Sequence, residues 1–586
     1  MNSSENIQFK RNGAGFTLLV IAAYIVIQSF AVLGPYFLMD DAQELSHVRS
    51  LGSWWQVFGA DSFQLFRPVK NLIFSLFALF PEDMVPLCRV FAILIGCMSF
   101  FPVLALFRRV FGNERQALLA SAVWLLAPTL VSSTAWLSCV NIQVMCALGA
   151  LAIVLHDKAF DGNAFRPSFV VAAAACLFVA CVSYEQAVAV GPIAVIFDFY
   201  LRPERLKSKK VFLVYAAYAF VTVLYLLLRG KVGSVSSLNG SFDNVSRFDI
   251  VLASAYFTCW HFFVWLWPFG NMSPTGSYSL GDVSSIALVV CWIVVLTLGI
   301  LSLALRRRSP FLAMGIAFAL VGFLPVSNIL GFGNGPYGDY YMGLPSMGLA
   351  IVIVTVCGSL FAVKGSLRIF GFSLCAILAT TRIFAVPEAA RWAWLWSDST
   401  RAFVSGIEAF PSTFANRQLY ARVCYEQGRL EDLIKCCGWL ESHLSTDSEQ
   451  LAIVYDIQAL VALNFEHNAN VAMKCLDNAL RVDIKGSLRR VTRFYRGCVY
   501  EDLLGDEKSA EVEYHAAVSG TWTVDSPAAA DRLARLLAIR GELDEAEKLW
   551  EKAARYKPGD ESIRHNLAQV RLAKGISSQG STDKSP

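Results

Sequence analysis

Eleven apolar stretches dominate the chain, at residues 16–38, 84–107, 117–135, 138–156, 168–184, 186–200, 211–228, 284–305, 310–327, 341–362 and 367–386. An α-helix rises 1.5 Å per residue, so ~20 apolar residues cross the hydrocarbon core of a bilayer. Charge is scarce as well, at 16% of residues against the ~25% of soluble domains. Disorder is excluded, because 42 Phe, 19 Tyr and 14 Trp supply more apolar surface than an unfolded chain tolerates. The pattern predicts an all-α fold whose body is a polytopic membrane bundle of about 11 spans plus interfacial helices. Lys10-Arg11 precede the first span and no small-residue cleavage site follows it, which reads as a retained helix.

The charges divide by position. Residues 1–386 hold 25 Lys/Arg and 17 Asp/Glu, whereas residues 387–586 hold 25 and 29. A basic membrane domain (1–386) therefore precedes a mildly acidic soluble domain (387–576) and a polar tail (577–586) expected to be disordered. Neither part has the basic stripe of a nucleic-acid binder. Of the 15 cysteines, ten lie in or beside apolar segments, where a thiol behaves as a small hydrophobe, and no CxxC pair appears.

With the N-terminus cytoplasmic, 17 of the body's 25 cations fall on the cytoplasmic side. An odd number of spans then places everything after residue 386 outside the cytosol. The stretch Ile250–Phe269, with His261 and three tryptophans, breaks this alternation and is read as re-entrant or interfacial. Pro68–Phe80 is too short to span and gets the same reading.

The soluble domain repeats. Gly541, Ala546, Trp550, Ala553 and Pro558 have the offsets of a tetratricopeptide helix pair. Copies follow at Gly505, Ala510, Tyr514 and Ala517, at Ala472, Leu476 and Ala479, and more weakly at Gly428, Leu433, Cys437 and Leu440. Stacked pairs make an α-solenoid whose groove binds a peptide or protein; an inert helical spacer is the alternative.

Charges at the rim of the body are costly and point to function. Asp40-Asp41, after the first span, repel each other and are partly desolvated, which raises pKa and favours a general base. A helix cap, with Asp as N-cap and Glu44 in the first turn, explains the same residues equally well. A divalent cation held by Asp40, Glu44 and His47 is a third and less favoured reading. Arg67 and Lys70 suit a phosphate, or else snorkel to headgroups. Glu185 is a buried partner for a cation or a functional acid, and Arg229 pairs with it or binds an anion. Asp339-Tyr340-Tyr341 opens a later span on the same outer face.

Asp40-Asp41, Phe66-Arg67-Pro68-Val69, Glu185, Pro325-Val-Ser-Asn328 and Tyr341-Met-Gly-Leu344-Pro345-Ser346 occur in the order found in GT-C glycosyltransferases. With the repeats, the pattern resembles the transmembrane and tetratricopeptide-repeat O-mannosyltransferases and their bacterial relatives over nearly the whole chain. The resemblance implies a sugar donor on a polyprenyl phosphate, inverting transfer outside the cytosol, and a protein hydroxyl acceptor recruited by the repeats. On that pattern Asp40 or Asp41 is the base. Arg67, Lys70, Arg229, Glu185, Asp339 and Tyr341 form the lipid-phosphate and donor site, and no metal is required. Where relatives carry an acidic-Arg-Tyr run the chain has Asp339-Tyr340-Tyr341, so neither mannose nor any particular acceptor is carried over.

Two other readings stand beside this one: a ligase or polymerase acting on a lipid-linked glycan, and a non-catalytic scaffold with a protein-binding repeat domain. A transporter is disfavoured, since no carboxylate or broken-helix pair lies at mid-membrane depth. The expected location is a bacterial inner membrane with periplasmic repeats. The alternative is the ER with lumenal repeats, to which the sequons at Asn239, Asn244 and Asn271 would answer.

Overall fold

The computed structural model describes residues 3–34, 38, 40–51, 53–62, 65–81, 84–161, 165–232, 246–269, 283–330, 338–361, 368–412, 414–444, 449–483, 486, 488–519, 526–557 and 560–582. Among them are α-helices and short 3-10 turns and no strand. The three sequon asparagines, Asn239, Asn244 and Asn271, and Pro558 lie outside the described residues. Two compact units emerge, one of residues 1–41 and 58–413, the other of 42–57 and 414–586.

The early helices are α1 (Ser3–Val32), α2 (Asp41–Ser50), α3 (Pro68–Phe77), α4 (Val85–Phe111), α5 (Glu114–Leu125), α6 (Ser132–Ala135) and α7 (Asn141–Ala159). There follow α8 (Pro167–Ser183), α9 (Val190–Leu201), α10 (Lys209–Val232), α11 (Arg247–Leu266) and α12 (Ser285–Leu305). The first unit ends with α13 (Pro310–Phe323), α14 (Pro345–Phe361), α15 (Arg368–Leu395) and α16 (Ser399–Ala409). Every predicted apolar stretch carries a helix. Among the described residues seven helices (α1, α4, α7, α10, α11, α12 and α15) are long and apolar enough to cross a membrane. The α5–α6 pair, bent by 64°, makes an eighth. The protein is a multi-pass membrane protein. α8, α9, α13 and α14 are shorter, with 17, 12, 14 and 17 residues, and 3-10 turns at Glu185–Ala189 and Leu324–Val326 extend the apolar runs that α9 and α13 occupy.

Three sequence expectations change here. Of the stretch read as re-entrant or interfacial, the re-entrant form is set aside, since Arg247–Leu266 is the unbroken α11, capped where Asp249 N–H donates to Ser246 Oγ. Its His261 is buried and bonds the Phe257 carbonyl one turn back. The boundary between units falls after Thr413 and not after residue 386, because α15 continues through Pro387. Its last turns bury Trp392, Ala393 and Trp396 against Ile27, Ala31 and Val131. The tail expected to be disordered from Ser577 continues α25 (Glu561–Thr582) as far as Thr582, and residues 583–586 lie outside the described residues.

Small residues let the body's helices touch. A Cβ on Gly348 would come within 2.6 Å of the Gly315 carbonyl, so α13 and α14 meet backbone to backbone. At one end a buried polar cluster joins α4, α7, α9 and α10. His156 Nε2 and the Tyr215 hydroxyl meet Asp198 Oδ2, both at 2.8 Å, and Arg205 bonds both Asp198 (3.1 Å) and Asp157 (2.8 Å). Arg109 adds a second ion pair to Asp157 at 3.0 Å.

The second unit comprises α2 and nine later helices. These are α17 (Phe414–Glu426), α18 (Leu430–His443), α19 (Glu449–Asn464), α20 (Ala469–Val482) and α21 (Arg489–Asp502), then α22 (Glu507–Val518), α23 (Ser526–Ile539), α24 (Leu543–Tyr556) and α25. Gly428, Gly505 and Gly541 turn three pairs at φ of +69°, +63° and +87°, the left-handed region that glycine adopts without strain. The pair α19–α20 has no such glycine, and His467 takes that conformation at φ +50°. The repeat positions Leu433, Cys437, Leu440, Ala472, Leu476, Ala479, Ala510, Tyr514, Ala517, Ala546, Trp550 and Ala553 are all buried. α2 packs within this unit, its Ser46 hydroxyl donating to the Tyr556 carbonyl at 3.1 Å.

Candidate active site

Pro128 decides where the site forms. It ends the helix of the third apolar run early, and the chain turns through Pro128–Leu130, α6 and Leu137–Cys139 before α7 begins. This connector brings Trp136 and Ser138 to the end of α1. There Arg89, buried in α4, donates to the carbonyls of Ala31 (2.6 Å) and Gly34 (2.7 Å). Those carbonyls end the α1 ladder and need donors. Gly34 has no room for a side chain: a Cβ would meet the Ser397 carbonyl at 2.1 Å and Arg89 at 2.4 Å. Gly34→Ala is therefore expected to lower stability by ~1–3 kcal/mol through overpacking, read as a fall in the thermal midpoint of the purified protein.

The two adjacent carboxylates separate into different roles. Asp41 is fully buried; Ser138 donates to its Oδ1 through both N–H (2.8 Å) and hydroxyl (2.7 Å), and Leu38 N–H to Oδ2 (3.3 Å). Burial first, and the Asp40 charge second, push the Asp41 carboxyl up to about 7, against the pull of the Ser138 hydrogen bonds. Asp40 instead lines a cavity, its Oδ1 accepting from Trp136 Nε1 at 2.8 Å. α2 begins at Asp41, so Asp40 stands before the helix and does not share the i, i+4, i+7 face with Glu44 and His47. Among the described residues no three His, Cys, Asp or Glu side chains group as metal ligands.

The cavity has a volume of about 320 Å³. Asp40, Ser138 and Cys139 line it together with Arg67 and Lys70, and Trp136, Tyr184 and Tyr340 give it aromatic walls. Trp136 stacks on Trp396 with ring centroids 5.5 Å apart and meets Tyr340 edge-on at 5.7 Å. Arg67 forks onto Glu185, Nε to Oε2 at 2.9 Å and a terminal nitrogen to Oε1 at 2.5 Å, while its guanidinium lies 4.7 Å from the Tyr184 ring centre. Arg229 approaches the same carboxylate at 3.6 Å. Burial raises the Glu185 pKa, but Arg67 and then Arg229 outweigh it and hold the carboxyl below its ordinary value. Lys70 pairs at 3.4 Å with Asp61, which has no exposed surface and also accepts from Leu65 N–H at 2.8 Å.

Of the predicted site residues, then, Asp40, Arg67 and Lys70 face the cavity, whereas Asp41, Glu185 and Arg229 stand behind it as partners. Asp339 is buried next to the wall residue Tyr340, whose N–H donates to its Oδ1 at 2.9 Å; burial pushes its carboxyl up to about 8. Tyr341 does not line the cavity; it is buried beside Tyr340, with ring centres 4.7 Å apart, and lies 5.9 Å from the His261 ring.

No protein-family model matches the chain, and no curated protein matches it. Among solved structures it is similar to the archaeal oligosaccharyltransferase AglB from Archaeoglobus fulgidus, with TM-score 0.38 and 12% identity over 67% of this chain and 56% of that one. Another is ArnT from Cupriavidus metallidurans bound to undecaprenyl phosphate, with TM-score 0.35 and 15% identity over 70% and 80%. A third is the thermophilic TPR protein TTC0263 from Thermus thermophilus, with TM-score 0.24 and 22% identity over 33% and 95%.

Four residues that shape the site escaped the sequence reading: Asp61, Arg89, Trp136 and Ser138. Arg89 carried a signal, being a lone cation inside an apolar run. Trp136 sits in the two-residue gap between apolar stretches and Ser138 opens the next one, where a short connector hid them.

Proposed function

We propose that the protein transfers a sugar from a polyprenyl-phosphate-linked donor to an acceptor hydroxyl with inversion. The supporting observation is that one cavity carries a carboxylate, Asp40, and two cationic side chains, Arg67 and Lys70. Trp136 N–H fixes the Asp40 carboxylate through Oδ1, and that carboxylate is the proton acceptor. As the acceptor oxygen bonds to the anomeric carbon, its proton passes to Asp40. The bond from that carbon to the phosphate oxygen breaks on the opposite side, and the electron pair leaves with the lipid phosphate. Arg67 and Lys70 meet the charge that develops there, at donors already fixed by Glu185 and Asp61. Transfer takes place outside the cytosol at the bacterial inner membrane, and the repeat unit recruits a protein acceptor. Mass spectrometry of the glycans lost on deleting the gene, together with release of polyprenyl phosphate by the purified protein, tests this reading. Unchanged glycans and no donor consumption would overturn it.

A further inference from the structure

Away from the site just described, α15 carries a second cavity, a groove of about 510 Å³. Thr380, Thr381, Phe384, Pro387, Glu388 and Arg391 form its floor, at the three- and four-residue spacing that keeps side chains on one helix face. Trp267 and Phe269, just after α11, make the opposite wall and meet edge to face at 5.1 Å. From Thr380 to Arg391 the floor runs for about 16 Å at 1.5 Å per residue, the length of a dozen methylenes. Phe384 and Trp267 are 60% and 48% exposed, so the groove opens on the surface of helices long enough to span a membrane.

One end of this apolar groove is charged in both signs. Glu388 Oε1 accepts from Arg391 Nε at 2.8 Å, from a second Arg391 nitrogen at 2.5 Å, and from Trp392 Nε1 at 2.9 Å. The three donors converge on a single oxygen. Oε2, the other oxygen of a side chain 14% exposed, is left for a donor from outside. Pro387 adds a second acceptor: having no N–H, it removes the main-chain bond that the Ile383 carbonyl would otherwise receive. A cation and a spare acceptor stand three residues apart, at the mouth of a trough long enough for an acyl chain.

We infer that this groove binds a phospholipid with a primary ammonium headgroup, of the phosphatidylethanolamine type. Its phosphate faces Arg391, its ammonium donates to Glu388 Oε2, and one acyl chain lies along Phe384 towards Thr380. A phosphatidylcholine headgroup has the same charges but no N–H to donate. A phosphatidylglycerol headgroup keeps the phosphate and lacks the cation. This discrimination concerns a lipid that is neither donor nor acceptor, so it stands whatever the catalytic cavity does.

The full-length protein, reconstituted in nanodiscs of equal parts phosphatidylethanolamine, phosphatidylcholine and phosphatidylglycerol, is to be extracted into detergent. Retained lipid is then read by native mass spectrometry. Retention of phosphatidylethanolamine is expected to exceed that of the other two by about tenfold, the weight of one charge-assisted hydrogen bond. Glu388→Gln should erase that preference, and Phe384→Trp, which fills the trough, should lower retention of every lipid. Equal retention of all three lipids by the wild type would overturn the inference. So would an undiminished preference in Glu388→Gln or, should that variant fail to fold, undiminished lipid retention in Phe384→Trp.

Discussion

Asp40→Asn is expected to lower sugar transfer by roughly a thousandfold while the thermal midpoint barely moves, the range lost with a positioned base. Asn accepts the Trp136 hydrogen bond as Asp does, and Asp40 is only partly buried, so the surroundings keep their shape. Asp41→Asn should behave differently. Its carboxyl faces Ser138 and the Leu38 N–H and not the cavity, so an amide there places an N–H₂ against donors. Stability should fall at neutral pH, and activity with it. The pH dependence separates the two further. The folded Asp41 pKa of about 7 lies above the ordinary value of 3.8, so the native state keeps a proton that the unfolded chain releases. The stability tied to Asp41 is therefore whole below about pH 4 and is lost as pH rises to about 7. In Asp41→Asn that slope should vanish from a series of thermal melts, whereas in Asp40→Asn a slope should remain. Equal losses of activity in the two variants, with unchanged stability in both, would remove the division of labour.

The second large effect concerns the Arg67–Glu185 pair. Truncating one member of a buried ion pair leaves a charge without its partner and costs ~3–5 kcal/mol. Arg67→Ala leaves Glu185, which has no exposed surface, facing Arg229 alone at 3.6 Å. The single variant is expected to lose that stability and also to stop consuming donor. Arg67→Met combined with Glu185→Leu replaces both charges by apolar groups of similar size, and most of the lost stability should return. Activity should not return, because no guanidinium then faces the leaving phosphate. Thermal unfolding in detergent and donor consumption, measured on the same preparations, check both parts. A double variant that turns over normally would show the pair to be structural only.

How much of this was readable in the chain depends on the range of the interaction. The repeat unit was, because its signals are local: a glycine permits each of three turns, and the buried residues five, nine and twelve positions on mark the helix contact. His467 shows the limit, since a non-glycine residue performs the same turn with no mark in composition. Asp40, Arg67 and Glu185 were legible as charges in apolar surroundings. Their grouping was not, since Arg67 and Glu185 are 118 residues apart. Neither was the choice of Tyr340 over Tyr341 for the wall, which turns on the orientation of one 3-10 turn. The continuity of α11 was missed because the alternation of basic loops, a signal from outside the helix, decided its reading.

The two ends of the membrane body are built from different materials. His156 and Ile142 lie on the same helix, about 21 Å apart by the rise per residue. Around His156 four helices are welded by ion pairs and hydrogen bonds that engage every carboxylate oxygen of Asp157 and Asp198. Around Ile142 the chain is jointed instead, by 3-10 turns at Pro128–Leu130, Leu137–Cys139, Glu185–Ala189 and Asp339–Met342. Short turns of that kind yield more readily than helices locked by ion pairs. On the function proposed above, a catalyst that admits a bulky lipid head and releases it again has its hinges at the end where the traffic passes, and its anchor at the other.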